Sequence, residues 1–155
     1  MKTPVGKRLF KAVILFLIGG ALYLLIEAIW RAVTHAHPTH WAMLIVGGNA
    51  FLLIGAINEY FPWDLSIWVQ CLIGGLLVTL VEFVSGLILN YQLRLDIWDY
   101  SGMPLNLMGQ ICLPLSVAWV GLSLLGILLD DFLRWQLFGE SRPCYNWSLK
   151  LRRQH

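Results

Sequence analysis

Charge is scarce in this chain. Lysine, arginine, aspartate and glutamate make up 13% of its 155 residues, against roughly a quarter in soluble domains, which argues against a separate water-soluble catalytic domain. Cysteine is sparse as well. Cys71, Cys112 and Cys144 stand far apart without a C-x-x-C pair, so a disulfide framework is not expected. A glycine-rich phosphate loop and a nucleophile elbow are both absent, and ATP hydrolysis by this chain alone is therefore unsupported. The net charge of +2 implies no nucleic-acid partner, and no cofactor is expected.

Apolar residues are abundant, at 58% of the chain with a mean hydropathy of +0.68. Four apolar runs have the length of about 20 residues that a bilayer-crossing helix needs, at about 9–32, 41–58, 65–90 and 105–129. The expectation is an all-α membrane protein. It would be one integral domain over 1–155, a bundle of four transmembrane helices, with an amphipathic segment from Asp130 onward lying on the inner membrane surface. Lys7, Arg8 and Lys11 before the first run resemble the start of a signal peptide, but the run is long enough to span and no small-residue cleavage site follows it.

Basic residues set the orientation. Lys2, Lys7, Arg8 and Lys11 precede the first run, and Arg134, Arg142, Lys150, Arg152 and Arg153 follow the last, which makes nine of the eleven. Under the positive-inside rule both termini are cytoplasmic, in a bacterial inner membrane, and the loops near 31–40 and 90–104 face outward. The pairs Gly19–Gly20, Gly47–Gly48 and Gly74–Gly75 suit close helix approach.

Polar residues within or beside such apolar runs need a reason, since a charged group there costs about 2.5–3.5 kcal/mol on insertion scales. Tyr23, Glu27 and Arg31 share one face of the first helix, and Glu27 stands four residues before Arg31, the favourable order for an ion pair. Glu82 has no basic neighbour within a turn and is the more conspicuous carboxylate. Asn90, Asn106 and Gln110 flank a loop that contains Asp99, Tyr100 and Ser101. Asp99 and Ser101 also suit a turn that launches the fourth helix, and Asn106 and Gln110 could hold the loop down. The candidate ligand-binding set is Glu27, Glu82, Asn90, Asp99, Tyr100, Ser101, Asn106 and Gln110. No catalytic residue stands out. His35, His37 and His40 read as an interfacial loop rather than a metal site, because Pro38 interrupts them and no cysteine or carboxylate lies within the loop.

The residues Glu82, Gly86, Asn90, the run WDYS at 98–101, Pro104, Asn106, GQIC at 109–112 and Trp119 resemble the bacterial membrane-protein family of ABC-transporter type IV, or CmpB-like, proteins, which is itself similar to vertebrate transmembrane protein 229. Tyr23 and Glu27 resemble that family's Y-x-x-x-E. The resemblance implies a permease-like component. With four spans it would act as a homo-oligomer among membrane lipids, its ATPase supplied by another polypeptide. The leading expectation is an outward polar pocket that binds a small cationic or hydroxylated molecule. The alternatives are a membrane-embedded enzyme using Glu82 and Asp99 on lipid head groups, and an accessory subunit whose polar residues only lock helices together.

Overall fold

The computed structural model describes residues 5–33 and 37–148. Four helices in it are long and apolar enough to cross a membrane: Val5–Val33, Ala42–Tyr60, Ile67–Gln92 and Leu113–Phe138. The only sheet among the described residues is a pair of two-residue strands. The all-α expectation therefore holds. The chain divides into two compact units, Met1–Leu52 and Leu53–His155.

The first unit contains α1 (Val5–Val33) and most of α2 (Ala42–Gly55). Glycines let the two backbones approach. A Cβ on Gly20 would lie 2.4 Å from the Leu44 carbonyl oxygen, and one on Gly47 would lie 2.3 Å from the Tyr23 side chain. Such contacts substitute for the hydrophobic driving force that lipid removes. The following loop is fixed by His40, whose Nδ1 accepts from the Ala42 N–H at 3.2 Å.

The second unit opens with the short helix α3 (Ile57–Tyr60), which completes the second span, and a turn through Pro62. The helix α4 (Ile67–Gly86) then continues through six π-helical residues, Leu87–Gln92. A loop carries the strands β1 (Asn106–Leu107) and β2 (Ile111–Cys112), paired antiparallel with Asn106 opposite Cys112. The last helix, α5 (Leu113–Phe138), packs antiparallel against α4, with Gly75 against Val120 and Gly74 against Ser123.

The fourth helix differs from the expected 105–129 at both ends. Residues 105–112 turn back as the small hairpin, with Leu105, Met108 and Gly109 at positive φ, and the helix begins only where Pro114 fits its first turn. At the other end it continues through Asp130, Asp131 and Arg134 to Phe138, where left-handed Gly139 ends it. These charged residues are buried within the second unit, while Phe132 and Leu137 on the same turns are exposed, so 130–138 continues the helix with its charged side packed against protein. Beyond it, Asn146 accepts from the Ile67 N–H at 2.9 Å and donates from Nδ2 to the Asp64 carbonyl at 2.8 Å, pinning the chain to the start of α4. Lys2, His35, Lys150, Arg152 and Arg153 lie outside the described residues.

Candidate functional site

The loop after α4 is held at one end of the α4–α5 pair by amides. The π-helical turn places the Asn90 side chain under the loop, where all its groups are used. Nδ2 donates to the Trp98 carbonyl at 3.0 Å and to Gln110 Oε1 at 2.8 Å, while Oδ1 accepts from the Ile97 N–H at 2.8 Å. Gln110 returns the hold. Its Nε2 donates to the Met108 carbonyl at 3.1 Å, and its carbonyl accepts from the Trp98 indole at 3.0 Å. Gly86 makes room for this, since a Cβ there would meet Gln110 Oε1 at 2.4 Å. Inserted π-turns recur at functional sites because they re-aim one side chain without ending the helix.

The second fastening is Glu82, only 5% exposed. Its Oε1 accepts from the Tyr100 hydroxyl at 3.1 Å and its Oε2 from the Trp119 indole at 2.9 Å. One carboxylate thereby joins α4, the loop and α5. Asn106 tightens the loop itself, donating from Nδ2 to the Ser101 and Met103 carbonyls at 3.1 and 2.9 Å and accepting from the Gly109 N–H at 3.2 Å.

Above these fastenings lies an open cavity of about 360 Å³. Asp96, Asp99 and Ser101 line it, together with Tyr91, Trp98 and Met108, while Asn90 and Gln110 form the part nearest the helices. Among the described residues no lysine or arginine contributes to its wall. Asp99 Oδ1 accepts from the Ser101 hydroxyl at 2.5 Å and the Ser101 N–H at 2.8 Å. Those two bonds hold its carboxyl below the usual aspartate range. Asp96 and Met108 sit at φ +47° and +54°, a conformation that non-glycine residues adopt at a cost and that recurs in binding sites. Gly109 is required here twice over: its φ is +66°, and a Cβ would meet Asp99 Oδ1 and Ser101 Oγ, each at 2.6 Å.

Of the eight predicted residues, Asn90, Asp99, Ser101 and Gln110 line this cavity. Tyr100 and Glu82 stand behind it as a hydrogen-bonded pair, and Asn106 belongs to the loop's internal wiring. Glu27 lies in the first unit, where Arg31 Nε donates to it at 2.8 Å and the Thr39 hydroxyl at 2.9 Å. Among the described residues no group of three or more His, Cys, Asp or Glu is placed to hold a metal ion.

A second polar cluster escaped the sequence reading. Arg134 donates from Nε to Asp130 Oδ2 and from an NH group to Glu59 at 3.0 Å. Asp131 Oδ2 accepts from Asn58 Nδ2 at 2.6 Å and from the Tyr145 hydroxyl at 3.0 Å. Burial and the Asp131 carboxylate raise the Tyr145 phenol well above its usual value and keep it a donor. The available signal was the spacing of Asp130 and Arg134, four apart and acid first, as with Glu27 and Arg31.

Four apolar spans with polar side chains buried between α4 and α5 define the class as a polytopic integral membrane protein. The chain matches the family described as "Putative ABC-transporter type IV" over residues 14–138 and belongs to that family. No solved structure matches the chain.

Proposed function

We propose that this chain is a permease-like transporter component whose acidic cavity binds a small organic cation. The observation that carries the reading is that Asp96 and Asp99 line one open volume together with Tyr91 and Trp98. Carboxylates supply charge, and aromatic faces attract an alkylated ammonium that has little hydration to lose. A volume of about 360 Å³ is at the small end of the range for ligand sites. Asp99 remains ionised through the neutral range, because Ser101 lowers its proton affinity. Glu82 acts from behind as a positioning residue, holding Tyr100 and Trp119.

The basic residues at both ends of the chain support cytoplasmic termini in a bacterial inner membrane, which turns the cavity outward. Four spans enclose little space by themselves, so the working unit is a homo-oligomer in lipid, and any ATPase is a separate polypeptide. The test is titration of the protein in nanodiscs with tetramethylammonium, with tert-butanol as the uncharged control. Saturable binding of the cation alone, weakened at least tenfold in Asp96→Asn/Asp99→Asn, is the expected result. No saturable binding, or binding indifferent to the double substitution, would overturn it.

A second reading, an accessory subunit whose polar residues only lock the loop, draws support from the saturated hydrogen bonds of Asn90, Gln110 and Glu82. The same titration separates the two.

A further inference from the structure

At the other end of the α4–α5 pair, four buried side-chain oxygens have no hydrogen-bond partner among the described residues: Asn58 Oδ1, Ser66 Oγ, Gln70 Oε1 and Asp130 Oδ1. Buried polar atoms are nearly always satisfied by protein, water or an ion, and four at one end of one helix pair call for a common explanation. Gln70 and Asp130 expose none of their surface and Ser66 exposes 1%.

The fold gathers them. The packing of Gly74 on Ser123 and Gly75 on Val120 sets a register in which the first turn of α4, with Ser66 and Gln70, lies at the level of the Asp130 end of α5. The Asp130 carboxyl group rests on Gly55, where a Cβ would come within 2.2 Å of its Cγ. Asn58 stands one turn beyond Gly55 and is tied to Asp131 at 2.6 Å. Arg134 engages Asp130 through Oδ2 and leaves Oδ1 free for something else.

The chemistry of the donors narrows what that is. All four are oxygens, a set that favours hard cations. Around them the carboxylates of Asp130, Asp131, Glu59 and Glu140 all act on Arg134, so acid exceeds base in the cluster. One carboxylate oxygen with three neutral oxygens matches a single positive charge, whereas calcium takes six to eight oxygens and commonly several carboxylates. We infer that Asn58, Ser66, Gln70 and Asp130 form a buried site for a small monovalent cation of the sodium class. The site shares no residue with the acidic cavity and does not depend on its ligand.

The test is thermal unfolding of the full chain in detergent, in sodium chloride against caesium chloride at equal ionic strength. Caesium is too large for a site of buried side-chain oxygens and serves as the inert cation. Sodium at about ten times its dissociation constant should raise the melting temperature by about 4 °C. Ser66→Ala removes an oxygen without breaking any side-chain hydrogen bond, and it should at least halve the sodium-dependent rise while leaving the melting temperature in caesium unchanged. Asp130→Asn should abolish the retention of about one radiolabelled sodium ion per chain in equilibrium dialysis. Asp96→Asn/Asp99→Asn should keep both signals, which separates this site from the cavity. Equal stability in the two salts, as a water-filled pocket would give, or a sodium effect intact in Ser66→Ala, would overturn the inference.

Discussion

The two ends of the α4–α5 pair handle buried polarity in opposite ways. At the Asn90 end, the loop and α5 together supply a partner for each oxygen of Glu82, Tyr100 from the loop and Trp119 from α5, and loop backbone groups pair with the side chains of Asn90 and Gln110. At the Asp130 end, a charged network centres on Arg134 and four oxygens have no partner among the described residues. The first end is thus a hydrogen-bonded frame that buries Glu82 with a partner for each oxygen and sets Asp96 and Asp99 on an open cavity, while the second keeps several charges inside and relies on compensation.

The sharpest way to break that contrast is to remove the compensating charge. Arg134→Ala leaves Asp130 buried, with 0% of its side chain exposed, and should destabilise the fold by about 3–5 kcal/mol. Thermal unfolding in detergent checks this, and a loss below about 1 kcal/mol would mean that the network is not a support. The frame end should respond less. Glu82→Leu removes the carboxylate acceptor of the Tyr100 hydroxyl and the Trp119 indole and should cost about 2 kcal/mol, whereas Glu82→Gln can still accept from the indole and donate to the hydroxyl, and should cost well under half of that. If the two variants unfold together, the hydrogen bonds to Glu82 contribute little.

The smallest effect concerns Asp99. Its carboxyl is depressed in the folded chain by Ser101, so its contribution is present above the unfolded-state value and is lost as pH falls through the lower folded value. In an Asp96→Asn background, cation binding by Asp99 should therefore persist on acidification below the ordinary aspartate range and then disappear. Substituting Ser101→Ala should move that loss to higher pH. A titration of binding against pH reads both, and an unshifted midpoint would remove Ser101 from the account.

Much of the architecture was legible in the sequence because lipid imposes simple rules. Twenty-odd apolar residues with few charges must form a helix that satisfies its own backbone, so the four spans could be read directly. The prominence of Glu82, Asn90 and Gln110 followed from their polarity in apolar surroundings, and the Glu27–Arg31 pair followed from helical spacing. The late start of α5 was harder to see, because Leu105, Leu107 and Met108 are as apolar as the helix beyond them. Only positive φ at 105, 108 and 109 and Pro114 separate the hairpin from the helix. The continuation of α5 through Asp130, Asp131 and Arg134 was hard to see for a similar reason. Mixed with Phe132, Leu133 and Trp135, they have the composition of an interfacial segment.

The sequence by itself determined that this chain is a four-span membrane protein and that its third span and the segment after it carry conspicuous polar groups. Tertiary structure alone decided where those groups stand. It set Asp99 and Ser101 on the cavity, Asn90 and Gln110 both on the cavity and in the fastenings of the loop, and Glu82, Tyr100 and Asn106 in the fastenings alone, because hydrogen-bond direction depends on where a loop lands rather than on residue type. It also left oxygens of Asn58, Ser66, Gln70 and Asp130, from three segments of the second unit, buried and unpartnered among the described residues, which no spacing along the chain encodes.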